Sequence, residues 1–228
     1  MMATTQNNVR SSDLSSSVKL RLLSFNMHGL NQGSALVESW CVSQSFDILL
    51  IQEHWLASSC FSRLHQITPG YQCIMSSAME QICSTNILRG RPFGGMAVVI
   101  GDNFRRCMRT VMCTSRIIAV LVSDILVVNV YLPCQSVKNY KELTLEVIAN
   151  LEEICNSTNF KSVIIGGDFN CNLELKSWSS EEILNFMNKW NLRNCDCQWP
   201  DNSKITFHHD SLQLFSYRLL FSLCRRVH

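Results

Sequence analysis

The sequence predicts an α/β fold of mixed sheets with helices packed outside them. Two observations carry this. Strand-length apolar runs, such as Ile48 to Ile51, Met96 to Ile100 and Ile125 to Val130, alternate with segments of helical period, which is the pattern of layered α/β architecture. Polar residues collect where those runs end. Strand ends are where layered folds build their sites, because the strand is rigid and the loop beyond it is free to carry chemistry.

Taken in order, residues 1–18 are Ser/Thr/Asn-rich without a hydrophobic period and read as a disordered polar tail. A single domain is expected over 19–210 and a separate tail over 211–228. Lys19 to Met27 reads as a strand, broken by His28-Gly29-Leu30-Asn31-Gln32-Gly33. Ser34 is the expected N-cap of a helix carrying Leu36, Val37, Trp40 and Cys41 at helical spacing. Phe46 to Ile51 is then a buried strand with Glu53 just past its end. Gly94-Gly95 leads into the strand Met96 to Ile100, which a Gly-Asp-Asn turn closes. Arg116 to Val122 and Ile125 to Tyr131 flank Ser123-Asp124 as a hairpin. Tyr140 to Cys155 is an amphipathic helix, and Lys161 to Ile165 a strand stopped by Gly166-Gly167-Asp168. The last helix is expected over Ser180 to Trp190, capped by Ser179 or Ser180, with Glu181 and Glu182 in its first turn.

Composition sets limits. With 46% hydrophobic and 17% charged residues the chain is globular rather than disordered. A net charge of +2 permits a phosphate-bearing partner without requiring one. The 12 cysteines include no CxxC pair, and Cys195 and Cys197 lack a second pair at zinc-site spacing. They read as reduced thiols of an intracellular protein, nuclear or cytoplasmic. No apolar run approaches the roughly 20 residues that span a bilayer, so no membrane segment is expected, nor a stable protein partner.

Four strand ends carry polar motifs: Ser24-Phe25-Asn26-Met27-His28-Gly29, Ile51-Gln52-Glu53-His54-Trp55, Asn129-Val130-Tyr131-Leu132-Pro133 and Gly166-Gly167-Asp168-Phe169-Asn170. In this order they resemble the endonuclease/exonuclease/phosphatase superfamily, which includes abasic-site nucleases, deoxyribonuclease I, inositol polyphosphate phosphatases, sphingomyelinases and retrotransposon endonucleases. The resemblance covers about Leu20 to Asp210. Arg89-Gly90-Arg91-Pro92-Phe93-Gly94-Gly95, leading into an apolar strand, looks most like the endonuclease domain of non-LTR retrotransposons. The resemblance implies a four-layer α/β sandwich, two mixed β-sheets packed face to face with helices outside. It also implies Mg²⁺-dependent phosphodiester hydrolysis, with Mn²⁺ as the alternative ion and DNA as the substrate.

Such hydrolysis needs a hard cation, a group that activates or orients water, and donors that steady the phosphate. By resemblance Glu53 is the principal metal ligand, a role that suits an ion content with one or two carboxylates; alone, it would read as a surface glutamate. Asn26 offers an amide to metal or phosphate, or is merely a turn residue. Two positions after it, where abasic-site nucleases carry a second acid, stands His28. Asp168 and Asn170, one residue apart, would face the same side of an extended segment. The resemblance makes Asp168 the group that orients or deprotonates water and Asn170 a holder of the scissile phosphate. Tyr131 is either a phenol donor to phosphate or a core tyrosine. Arg116 and Thr206 are expected phosphate or DNA contacts, while Arg89, Arg91, Arg105, Arg106 and Arg109 read equally well as a solvated face. Neither His208 nor His209 can be singled out as catalytic.

After Asp210 the superfamily pattern calls for Ser-x-Ile-Asp-His/Tyr-Ile/Phe and then Ser-Asp-His, and neither occurs here. Ser216 to Phe221 can be encoded as TCT TAT AGA TTA CTT TTT, which one base later reads Leu-Ile-Asp-Tyr-Phe, the absent motif. The expectation is a frameshift after Ser211, with two consequences. Loss of acid–base help worth roughly 10² to 10⁴ in rate leaves weak or no activity. Loss of a strand with about four apolar side chains, at roughly 1.5–3 kcal/mol each, would weaken the fold. The rival readings are a non-catalytic nucleic-acid-binding remnant and a phosphatase or sphingomyelinase of the same fold.

Overall fold

The computed structural model describes residues 20–79 and 92–194, and the backbone of 219–224. The polar tail 1–18, Arg89, Arg91, the Cys195–Cys197 segment, Thr206, His208 and His209 lie outside the described residues.

Two mixed sheets form. One has the order β1(Leu22–Asn26), β2(Ile48–Gln52), β4(Met96–Gly101), β3(Tyr71–Ser76). The other runs β5(Met108–Cys113), β6(Ile117–Val122), β7(Ile125–Tyr131), β8(Ser162–Asp168), β10(Leu219–Cys224), β9(Arg193–Asn194). Two longer helices of the second half are α3(Tyr140–Ser157) and α4(Trp178–Lys189); α1(Leu30–Val42) and α2(Ser62–Ile67) belong to the first.

Period-two alternation along the central strands builds three apolar layers. Ile48 and Leu50 of β2, with Met96, Val98 and Ile100 of β4, meet Ile118, Val120 and Val127 of the other sheet. Their neighbours Leu49, Ile51, Ala97 and Val99 face the opposite way and pack against Leu30, Val37 and Cys41 of α1 and Leu64 of α2. On the far side, Ala119, Val128, Val130, Val163 and Ile165 pack against Val147, Leu151 and Ile154 of α3 and Ile183, Phe186 and Met187 of α4. The order helix, sheet, sheet, helix is a four-layer sandwich, and apolar burial on both faces is why β2, β4, β6 and β7 read as nearly continuous hydrophobic runs.

Several boundaries differ from the sequence reading. The first helix starts at Leu30, with Gly29 as N-cap at φ 97°, not at Ser34. Gly33 is no breaker: a Cβ there would lie 2.3 Å from the Met27 side chain, so the glycine lets the helix sit on the strand it follows. The last helix begins at Trp178 and its cap is Ser177, whose hydroxyl accepts from the Ser180 N–H while the Ser180 hydroxyl accepts from the Ser177 N–H. Asp102–Cys107 is a 3₁₀ helix rather than a tight turn. Leu219–Cys224, inside the segment read as a tail, pairs antiparallel with β8 from Leu219↔Gly167 to Cys224↔Ser162. A strand therefore lies along β8 where the sequence reading expected one to be lost; the backbone N–H and C=O groups of β8 gain ladder partners there. No helix among the described residues is long and apolar enough to cross a membrane.

Candidate functional site

Each sheet has one parallel pair among its described strands, β1 with β2 and β7 with β8. Both pairs end at the same edge of the sandwich, so four strand ends deliver their polar motifs to one place. The ladder continues past the strands: Met27 N–H donates to Gln52 O, Gly29 N–H to Glu53 O, and Leu132 N–H to Asp168 O. These bonds make the loops rigid extensions of the sheets.

Asn26 is the centre of the site. Its Nδ2 donates to Glu53 Oε1 at 3.1 Å and to Asp168 Oδ2 at 2.9 Å, while Oδ1 accepts from the His28 N–H at 3.1 Å. Two carboxylate acceptors fix which end of the amide is nitrogen. Glu53 comes from one sheet and Asp168 from the other, and the single amide bridges them. Glu53 Oε1 also accepts from the Tyr131 hydroxyl at 2.8 Å, and Oε2 from Trp55 Nε1 at 3.2 Å. His28 Nδ1 stands 3.7 Å from the same Oε2. Tyr131, placed by sequence either in the core or on phosphate, is half-buried and donates to the carboxylate.

Burial raises the Asp168 pKa above the usual carboxylate value; the Asn170 N–H and Asn26 amide oppose this, and the Glu53 charge adds to it. The Tyr131 phenol is pushed up chiefly by burial, then by Glu53. Arg116 lies with its guanidinium 5.9 Å from the Tyr131 ring centre. Burial lowers its pKa, and its Nη1 is buried with no hydrogen-bond partner among the described residues. Asn170 sits at φ 46°, its N–H bonded to Asp168 Oδ1 and its Nδ2 to Leu132 O. His28, Glu53 and Trp55 also have positive φ, so four of the seven described non-glycine residues in that region belong to the site. Backbone strain of this kind, of order 1–3 kcal/mol per residue, concentrates where a site needs a fixed geometry. Gly167 completes the frame: at φ 142°, a Cβ there would fall 1.9 Å from Val130 O.

Two carboxylates converging on one amide from opposite sheets suit a hard divalent cation held by one or two carboxylates and water. Among the described residues no group of three His, Cys, Asp or Glu gathers into a closed metal cage. Glu53, with Asn26 beside it, is the residue that would hold Mg²⁺, and such an ion would supply charge neutralisation at a bound phosphate.

The structure thus brings together Asn26, Glu53, Tyr131, Asp168 and Asn170, with Arg116 behind Tyr131. Arg105, Arg106 and Arg109 are exposed at the other end of the sheets, where β4 and β6 finish, and Arg105 pairs with Asp102 at 3.8 Å. Three contributors were given no role from sequence. Trp55 holds Glu53 through its indole N–H. Gln52 and Asn129, both fully buried, join the sheets beneath the site: Gln52 Nε2 donates to Asn129 Oδ1 at 2.6 Å, and Asn129 Nδ2 to Ile51 O and Ala97 O, each at 2.9 Å. The signal available was an asparagine inside the apolar run Val127-Val128-Asn129-Val130.

No protein-family model and no curated protein matches the sequence. Solved structures do. The chain is similar to the 3′ phosphatase NExo from Neisseria bound to a product DNA hairpin, at 16% identity and TM-score 0.64 over 90% of this chain and 86% of that one. It is similar to an AP endonuclease from Archaeoglobus fulgidus at 15% identity and TM-score 0.63, over 90% and 86%. A third is the endonuclease domain of TRAS1, a telomere-specific non-LTR retrotransposon, at 13% identity and TM-score 0.59 over 91% and 85%. With its four strand-end motifs meeting at one edge of the sandwich, the chain has the fold of the endonuclease/exonuclease/phosphatase superfamily.

Proposed function

We propose that the chain is a Mg²⁺-dependent phosphodiester hydrolase of the DNA endonuclease type, of retrotransposon descent and weak in activity. The observation that supports it is the convergence of Glu53 and Asp168 on the Asn26 amide at 3.1 and 2.9 Å. Glu53 holds the ion, Mg²⁺ or in its place Mn²⁺, and Tyr131, Trp55 and Asn26 fix the carboxylate in one orientation. Asp168, with its raised pKa, accepts the proton of the attacking water. The second N–H of the Asn170 amide is the group that would contact the phosphate, with Arg116 behind Tyr131 adding positive charge; Thr206, the other expected contact, lies outside the described residues. Weak activity rests on the sequence: residues 211–228 do not carry the Ser-Asp-His motif that the resemblance calls for, so the help that orients a general base is reduced. The protein is assigned to the cell interior, in keeping with eight free cysteines among the described residues.

Nicking of supercoiled plasmid tests this. Slow nicking in Mg²⁺ or Mn²⁺ is expected, abolished by EDTA and by Glu53→Ala. Intact plasmid alongside hydrolysis of a phosphomonoester or a phospholipid would move the phosphatase or sphingomyelinase reading ahead. Metal-independent DNA binding without turnover would favour the binding remnant.

A further inference from the structure

Beside the carboxylates lies a pocket of about 260 Å³ that the proposed reaction does not use. It adjoins the site through two side chains. His28 and Trp55 both line the pocket, and both reach Glu53 Oε2, at 3.7 and 3.2 Å. Their rings stand 5.1 Å apart at 52°, giving aromatic surface on one side, and Leu56 and Pro92 supply apolar surface elsewhere. The polar side chains are His28, Asn31, Gln32, His54 and Arg63. Arg63 donates to Asn31 Oδ1 at 3.0 Å, which fixes the orientation of that amide at the pocket.

Size and chemistry together narrow the occupant. The volume lies below the roughly 300–1,000 Å³ of pockets that enclose drug-sized ligands, so it suits one planar ring system rather than an inositol polyphosphate or a whole nucleotide. A phosphate subsite would gather several cations and backbone donors, whereas Arg63 is the one lysine or arginine in this lining. Aromatic faces and a carboxamide are instead the groups that receive a nucleobase, by stacking on its π-face and by pairing donor and acceptor along its edge. A base within a duplex has both faces covered by its stacked neighbours; to lie against a protein ring it must be unpaired or displaced from its stack.

We propose that this pocket binds one unpaired nucleobase next to the scissile phosphate, stacked on Trp55 and His28 and contacted at its edge by Asn31 and Arg63. The inference rests on the phosphodiesterase reading and deepens it: single-stranded or locally unpaired DNA becomes the preferred substrate, with the base held on the His28 side of Glu53.

The test is a base-deletion scan on the full chain. Single-stranded oligonucleotides in which each base in turn is replaced by an abasic tetrahydrofuran are measured for binding by fluorescence anisotropy in EDTA. One stacked base is worth roughly fivefold or more in affinity, so the expected result is a loss of that size at one position and little change at the others. Asn31→Trp, an exposed position at the pocket, should fill it and flatten the scan, with circular dichroism checking the fold. A flat scan on the unaltered chain overturns the pocket, and if Glu53-dependent nicking persists the phosphodiesterase reading stands without it. An Asn31→Trp protein that is folded and keeps the position-dependent loss also overturns it. Failure of every oligonucleotide to bind overturns the pocket and the nucleic-acid reading together.

Discussion

Replacing Asn129 by alanine should destabilise the fold more than any change to the carboxylates themselves. The side chain is fully buried between the sheets and takes part in three hydrogen bonds, to Ile51 O, Ala97 O and from Gln52 Nε2. Alanine removes all three at once. Leaving a buried polar group without this partner costs about 1–3 kcal/mol. Gln52 Nε2 keeps a weaker contact to Ser24 Oγ at 3.3 Å, so the two carbonyl oxygens carry most of the loss. The sum is about 2–6 kcal/mol, a large share of the roughly 5–15 kcal/mol that holds a domain together. Gln52→Leu should cost much less. Its Oε1 is already buried without a partner among the described residues, so the change removes one unsatisfied acceptor while it creates another at Asn129 Oδ1. Urea unfolding of the two single variants and the Gln52→Leu/Asn129→Ala pair, followed by tryptophan fluorescence, closes a double-mutant cycle. Coupling is expected, because the two side chains share a bond. A cost below about 1 kcal/mol for Asn129→Ala, or strictly additive single effects, would refute the idea that this amide pair ties the sheets together. Activity should fall with stability, since Glu53 directly follows Gln52 and Tyr131 lies two residues after Asn129.

Asp168→Asn is expected to slow nicking by roughly 10²- to 10⁴-fold if Asp168 is the base, while raising the melting temperature at neutral pH. Its folded pKa is raised, so the native state holds the proton longer than the unfolded chain, and the ionised group opposes folding above that window; an unchanged or lower melting temperature would contradict this. His54 should make the fold acid-sensitive. Burial lowers its pKa to about 4 from 6.5, and its Nδ1 accepts from the Leu56 N–H, so the neutral ring is the native form. The unfolded chain binds the proton first. Stability is therefore complete above about pH 6.5 and falls by roughly 3 kcal/mol as pH drops towards 4. Urea midpoints at pH 7 and pH 5 read this directly, and a His54→Gln variant should show a shallower slope.

Much of the fold was legible because its signals are local. β7 was found with its observed ends, Ile125–Tyr131, since an apolar run broken by Asn129 alone and bounded by Ser123-Asp124 and Pro133 leaves no other element. The edge strands Tyr71–Ser76 and Met108–Cys113 escaped notice: they are half-buried or exposed and carry little hydrophobic contrast. The start of α1 was misplaced because Gly33 looks like a breaker until the close approach of Met27 is known.

By itself, then, the sequence determined the layered α/β class, the order of strands and helices through the central sheets, and which strand ends carry Asn26, Glu53, Tyr131, Asp168 and Asn170. Those properties depend on apolar period and turn residues within a few positions of one another. Only the tertiary structure decided that Asn26 bridges carboxylates from two different sheets, that Tyr131 and Trp55 hold Glu53, that Gln52 and Asn129 lock the sheets beneath them, and that a pocket opens beside His28. Asn26 and Asp168 are 142 positions apart. No local pattern encodes the distance between groups so far separated along the chain; it is set by how two sheets pack face to face, and that packing is a property of the whole core.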